Sequence, residues 1–169
     1  APVIAVSKGN PHRVAALKDL LNPQLRVALV NPETAAIGRL VKSLLGAEYE
    51  PLSKNARVTK PTVPDVANDL SLGIVDGAIL WDSTVGLFPN LEAVTVPELS
   101  SHSEPASLAV LSSSTQPQAA LRFARFLAAP EKGGSILRQN GFQPVAGDPW
   151  AVTPELLLYS GAVNRPAIE

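Results

Sequence analysis

Asn31-Pro32-Glu33-Thr34-Ala35-Ala36-Ile37-Gly38 is the segment of this 169-residue chain best suited to chemistry. It follows the strand-like run Arg26-Val27-Ala28-Leu29-Val30. Behind it, Ile37, Leu40, Val41, Leu44 and Leu45 recur at the spacing of one helical face. A buried strand therefore ends in a turn that opens a helix. Thr34 or Asn31 can cap that helix, and Pro32, which has no N–H to donate, suits a first helical turn. Small Ala35 and Ala36 leave the first amides uncovered. A helix N-terminus with bare amides at the C-terminal end of a strand is a seat for an anion. The plainer reading is an ordinary βα turn with a routine cap, and this segment taken alone favours it.

Other chemistries find little support. The chain has no cysteine, which excludes disulfides, thiol catalysis and thiolate metal sites. Its two histidines, His12 and His102, stand far apart in polar, loop-like settings and read as solvated surface residues; they do not make a zinc site. There is no nucleophile elbow, nucleotide loop or pair of carboxylates in a shared context, so no catalytic residue, metal or cofactor is expected, and no enzyme. The net charge of −1, with Lys and Arg dispersed, argues against nucleic acid. A 46% hydrophobic content is ample for a packed core. No apolar run reaches the ~20 residues needed to span a bilayer, and no signal peptide is visible. The chain has no methionine and stops at Arg165-Pro166-Ala167-Ile168-Glu169, like the first turn of a helix. It is read here as a piece of a longer polypeptide.

The elements that must position the anion seat alternate strand and helix. Strands are expected at Pro2–Ser7, Arg26–Val30, Val75–Trp81, Leu91–Val96 and Ser107–Leu111. Helices are expected from Val14 to Leu21, from Ala35 to Leu45 with Gly46 at its end, and over Val63–Leu70 with Thr62 as cap and Gly73 just beyond. Residues 48–60 are polar and show no clear period. From Gln116 the helical period returns with Ala120, Phe123, Ala124 and Leu127 on one face. Pro130 breaks it, and a further helix runs from about Gly134 to Asn140, capped by Gly141. Residues 143–155 read as a proline-rich linker, and Leu156–Tyr159 as a strand before the turn Ser160-Gly161-Ala162. Such alternation implies a largely parallel sheet covered on both faces.

Several of these segments together resemble one family, the molybdate-binding branch of the periplasmic solute-binding proteins that serve ABC transporters. The resemblance rests on Lys8-Gly9-Asn10-Pro11 after a strand, then Lys18-Asp19-Leu20 with Pro23, then Asn31-Pro32-Glu33 with Gly38. It continues with Gly73, Val75-Asp76-Gly77-Ala78-Ile79, Phe123–Leu127, Pro130-Glu131 and Gly141-Phe142. Each motif is weak alone; their order and spacing carry the likeness. It implies an α/β fold: a three-layer αβα lobe of the type 2 periplasmic-binding-protein kind with a mostly parallel sheet, return helices and a tail strand. Residues 1–142 would form the solute-binding-protein-like domain, 143–155 a linker and 156–169 the start of a further lobe or unit. The tail Leu158–Pro166 resembles the family's first strand and ligand loop, which implies tandem units or, less favoured, a circular permutation.

The resemblance also implies a site. The donors would be the Thr34-Ala35-Ala36 turn, with the Ala36 amide foremost, the Thr62-Val63 helix start, and Trp81 where the family often has a tyrosine. Ser160 in the tail would add a hydroxyl. Pro64 removes one amide, Trp81 offers a single indole N–H in place of a phenol, and Val163 stands where relatives place a serine or glycine. Asp82 is expected to cap or to pair with a basic group, and Asp76 and Trp81 also admit purely structural roles. The implied function is capture of a small tetrahedral oxyanion, molybdate- or tungstate-like, in the periplasm or outside the cell, for an ABC transporter permease. A ligand-sensing regulatory module of the same fold is the alternative. The apolar 156–160 tail strand suggests a strand-swapped dimer.

Overall fold

A computed structural model describes residues 1–143. Among the described residues, Ala1–Leu108 form one compact unit and those from Ala109 onward belong to a second; each is described by itself. The expected linker, the tail strand, Ser160 and the strand-swapped contact lie outside the described residues, apart from Gln143 at the linker's start.

The first unit is built on a five-stranded sheet in the order β3-β2-β4-β1-β5. The strands are β1 (Pro2–Ser7), β2 (Val27–Val30), β3 (Ala56–Lys60), β4 (Gly77–Trp81) and β5 (Leu91–Val94). β2 runs parallel to both β3 and β4, with Val30 opposite Lys60 and Ala28 opposite Ala78. β1 pairs antiparallel with β4, Ile4 opposite Ile79, and with β5, Ile4 opposite Val94. Four strands therefore share one direction and β1 alone is reversed. The three central strands read as continuous apolar runs because the sheet is covered on both faces. Ile4, Val27, Leu80 and their neighbours are buried throughout. β3, at the edge, alternates half-buried Ala56, Val58 and Lys60 with exposed Arg57 and Thr59.

Helix α1 (Ala36–Leu45) packs on β2 and β4 and touches α2 (Tyr49–Asn55) and α5 (Pro97–Ser100). α3 (Val63–Ser71) packs on β1 to β4 and touches α4 (Asp82–Val85). Ile37 and Val41 of α1 and Val66, Ala67 and Leu70 of α3 are the buried stripes, the amphipathic pattern of surface helices. α3 stops in a full Schellman motif. Gly73 takes φ +70°, its N–H donates to Leu70 O at 3.0 Å, and the Ile74 N–H donates to Asp69 O at 2.9 Å.

Four expectations need correction. Neither Asn31 nor Thr34 caps α1: the N-cap is Ala35, with no side-chain cap bond, and Pro32 lies before the helix. Asn31 turns on its own segment instead. Its Oδ1 accepts from the Glu33 N–H at 2.8 Å, and its carbonyl accepts from Thr34 and Ala35, which delays the helix to Ala36. Residues 48–60 hold two elements, α2 and β3; a short helix followed by an edge strand leaves too few turns for a period to show. The helix expected over Val14–Leu21 is a 3-10 turn at Leu17–Leu21 only. Ser107–Leu111 form no strand, since no sheet edge among the described residues receives them.

In the second unit, α6 (Pro117–Ala128) and α7 (Gly133–Gln139) pack together. They meet closely at Gly133, where a Cβ would collide with the Leu127 backbone. α7 ends at Gly141 (φ +82°) with Phe142 donating to Leu137 O at 3.0 Å. The expected apolar face of α6 is not buried within this unit: Phe123 is exposed.

Candidate oxyanion site at the sheet edge

Because β2, β3 and β4 are parallel, their C-terminal residues Val30, Lys60 and Trp81 finish on one edge of the sheet. α1, α3 and α4 start there. That topology, rather than any contact between neighbours in sequence, brings the Thr34–Ala36 turn, the Thr62–Val63 turn and Trp81 to one side of the lobe. Two hydrogen bonds join the first two. The Asn31 N–H donates to Lys60 O at 2.8 Å, and the Thr34 hydroxyl donates to Pro61 O at 2.7 Å.

The donors at this edge divide into free and occupied. The Ala35 N–H donates to Asn31 O at 3.1 Å. The Thr34 hydroxyl proton is held by Pro61, and the Thr62 hydroxyl donates to Asp65 Oδ2 at 2.6 Å while accepting from the Asp65 N–H at 3.3 Å. The Ala35 N–H and the two hydroxyls shape the turns and have no proton to spare as they stand. The Ala36, Ile37 and Gly38 N–H groups have no acceptor among the described residues, as expected of the first three positions of an α-helix. The Val63 N–H is likewise without an acceptor among the described residues, and Pro64 has none to offer. Ile37 and Gly38 carry no side-chain signal of a donor; the relevant group is the backbone N–H, which any residue but proline carries.

Gly38 is dictated by packing. A Cβ there would lie 2.6 Å from both Val30 O and Asn31 O. The first turn of α1 thus sits directly on the end of β2, close enough to exclude every side chain larger than hydrogen.

Charge at this edge is sparse. Lys60 pairs with Asp69 at 3.1 Å, and Glu33 is exposed with Lys42 3.9 Å away. Asp65 places a carboxylate at the start of α3, where it already interacts with that helix dipole. α1 has no acidic residue in its first turn and is the emptier end. Trp81 is half-buried and packs against the core, and its indole N–H has no acceptor among the described residues. Asp82 accepts from the Ser83 N–H at 2.7 Å, closing the start of α4.

Asp76 belongs to the opposite edge, at the foot of β4, and is 9% exposed. Its carboxylate takes both Arg26 Nη2 (2.6 Å) and Arg26 Nε (3.0 Å), together with the Arg26 N–H (2.8 Å). The Arg26 guanidinium's hydrogen bonds hold the carboxyl below its ordinary range, against the opposing effect of burial. His12 Nε2 lies 3.4 Å from Asp76 Oδ1, so this surface histidine is not simply solvated. Asp76 is structural: it ties the start of β2 to the start of β4. Among the described residues no cluster of three His, Cys, Asp or Glu is placed to hold a metal, and no helix is long and apolar enough to cross a membrane.

A three-layer αβα lobe, with helix N-termini gathered at one end of a mostly parallel sheet, defines the type 2 periplasmic-binding-protein class. The chain belongs to the bacterial extracellular solute-binding proteins, whose family model matches residues 1–143. Among solved structures it is similar to a periplasmic thiamin binding protein (TM-score 0.62, 17% identity, 86% of this chain and 51% of that one). It is also similar to the substrate binding domain of a putative molybdenum ABC transporter from Clostridium difficile (0.59, 20%, 85% and 63%). A third is PEB3 bound to L-phospholactate (0.59, 18%, 83% and 63%). The chain thus spans half to two thirds of the length of these proteins. No curated protein sequence matches it.

Proposed function

We propose that this chain is the greater part of one lobe of an extracytoplasmic solute-binding protein that captures a small tetrahedral oxyanion for an ABC transporter permease. One observation carries the reading. The unbonded N–H groups of Ala36, Ile37 and Gly38 stand at the same sheet edge as that of Val63, with the two turns cross-linked through Thr34 and Pro61. Each helix end contributes about half a positive charge, so a dianion is held by dipoles without lysine or arginine. Trp81 supplies the indole N–H and a half-buried wall, and Thr34, Ala35 and Thr62 hold the donors in place. Ser160 remains the proposed contribution of the tail. Two structural neighbours, the substrate binding domain of a putative molybdenum ABC transporter and PEB3 bound to L-phospholactate, support an anion as cargo. Residues 1–142 are taken as one domain of a longer, two-lobed protein acting in the periplasm or outside the cell.

The test is a thermal-shift series on the full two-lobed protein with molybdate, tungstate, sulfate and phosphate. Binding to the native state stabilises it by about 2.7 kcal/mol at a hundredfold excess over Kd. No shift with any of the four overturns the reading. A36P then isolates one donor. Ala36 is the first helical residue, where proline is tolerated, and Ala35 at φ −133°, ψ 142° already has the conformation that precedes proline. The expected result is an unchanged melting temperature without ligand and a Kd raised roughly tenfold or more, because a hydrogen bond to a charged group contributes about 1.5–3 kcal/mol. An unaltered Kd removes Ala36 from the site.

Asp65 works against the cargo. D65N keeps an oxygen for the Thr62 hydroxyl but removes a negative charge from the rim, so calorimetry at low salt should show affinity rising a few-fold, with the gain fading at high salt. A weakened affinity would place the anion away from α3.

A further inference from the structure

At the edge of the sheet opposite the helix N-termini, a basin of about 510 Å³ lies among His12, Arg13, Lys18, Leu21, Pro23 and Leu25. Its volume is that of a small-molecule site. The loop that forms one wall is held in an uncommon backbone. Arg13 takes φ +53° and Asn10 φ +43°, a left-handed region that non-glycine residues seldom occupy. Asn10 fixes this geometry by bonding both sides of Val14: its Oδ1 accepts from the Val14 N–H at 2.9 Å and its Nδ2 donates to Val14 O at 2.8 Å. A cost of this kind persists where the surroundings over-determine it, and such residues cluster at functional sites.

The charges lining the basin are unevenly matched. Asp19, the acid there, has its Oδ2 held by the Ala15 and Ala16 N–H groups at 2.8 and 2.9 Å; those bonds, with Lys18's field adding to them, lower its pKa. The Asp76 carboxylate near His12 is taken up by Arg26. Arg13 and Lys18 have no carboxylate within 4.0 Å among the described residues. Leu21, 39% exposed, and Pro23 and Leu25 supply an apolar floor beside these two cations. We infer that the basin binds a small organic carboxylate, with its anionic group on Arg13 and Lys18 and its apolar body against Leu21, Pro23 and Leu25. This site is separate from the oxyanion seat and does not rest on it.

Benzoate is the probe, titrated into the isotopically labelled chain and followed by amide chemical shifts. Saturable shifts confined to residues 10–25 are expected, with acetate weaker because it lacks the apolar body and benzyl alcohol inert because it lacks the charge. R13G should weaken benzoate roughly tenfold without lowering the melting temperature, since glycine prefers the φ that Arg13 is held in; R13K should retain most of the binding. K18A provides a second loss that leaves the Arg13 loop alone. Absence of saturation, a benzoate affinity in R13G and K18A unchanged from the parent, or equal responses to benzoate and benzyl alcohol would each overturn the inference. So would shifts produced by an acidic peptide and not by benzoate, which would mark the basin as a protein-docking surface.

Discussion

Replacing Gly38 with alanine is expected to destabilise the first unit by about 3 kcal/mol, the upper part of the range for overpacking. The added methyl would lie 2.6 Å from two carbonyl oxygens, Val30 O and Asn31 O. Both belong to backbone, so no side chain can rotate away and α1 itself must shift. Urea unfolding followed by circular dichroism measures the loss. The same shift would lift the Ala36, Ile37 and Gly38 amides off the end of β2, so oxyanion affinity should fall together with stability. This distinguishes G38A from A36P, in which affinity falls alone. An alanine variant as stable as the parent would mean that α1 does not sit on the β2 carbonyls.

Asp76→Ala is expected to cost about 2 kcal/mol, from the opposite edge, since a hydrogen bond to a charged group contributes about 1.5–3 kcal/mol. Arg26 is 43% exposed and retains access to water, so no charge is left buried without a partner. The variant also leaves the Arg26 N–H without its acceptor. Asp76→Asn, which keeps an oxygen for that N–H, should cost less. The pH dependence follows from the lowered carboxyl pKa of the folded state. The pair's contribution is complete above the unfolded pKa of about 3.9 and is lost as pH falls through the lower folded value. Wild type and D76A should therefore differ most at neutral pH and converge in acid. A gap that stays constant from pH 7 to pH 3 would show that the charge on Asp76 contributes nothing to folding.

Much of the frame was legible in the residues. The α1 periodicity and its stop at Gly46, the Thr62 cap and Gly73 stop of α3, and the apolar runs of β1, β2 and β4 are local signals, and each element formed close to its expected bounds. The misreadings share a cause. Asn31 and Thr34 both have cap chemistry, but the choice between capping a helix and bonding elsewhere depends on what lies opposite. Pro61, twenty-seven residues away, takes the Thr34 hydroxyl. Ser107–Leu111 has strand composition, but a strand exists only where an edge receives it. For the site, the sequence already named the Ala36 amide and the Val63 helix start as candidate donors. That the Thr34 and Thr62 hydroxyls are occupied depends on partners the local pattern does not show, Pro61 for Thr34 and Asp65 for Thr62.

By itself the sequence determined the periods, caps and turn residues, because these depend on neighbours within a few positions. It determined the family as well, through the order of many weak motifs. The tertiary structure alone decided which helix starts share an edge, why position 38 admits only glycine, and that Asp76 clamps Arg26 at the far end of the sheet. Those outcomes depend on strand order, with β2 lying between β3 and β4, and strand order arises from contacts between residues about thirty to ninety positions apart that no local pattern encodes.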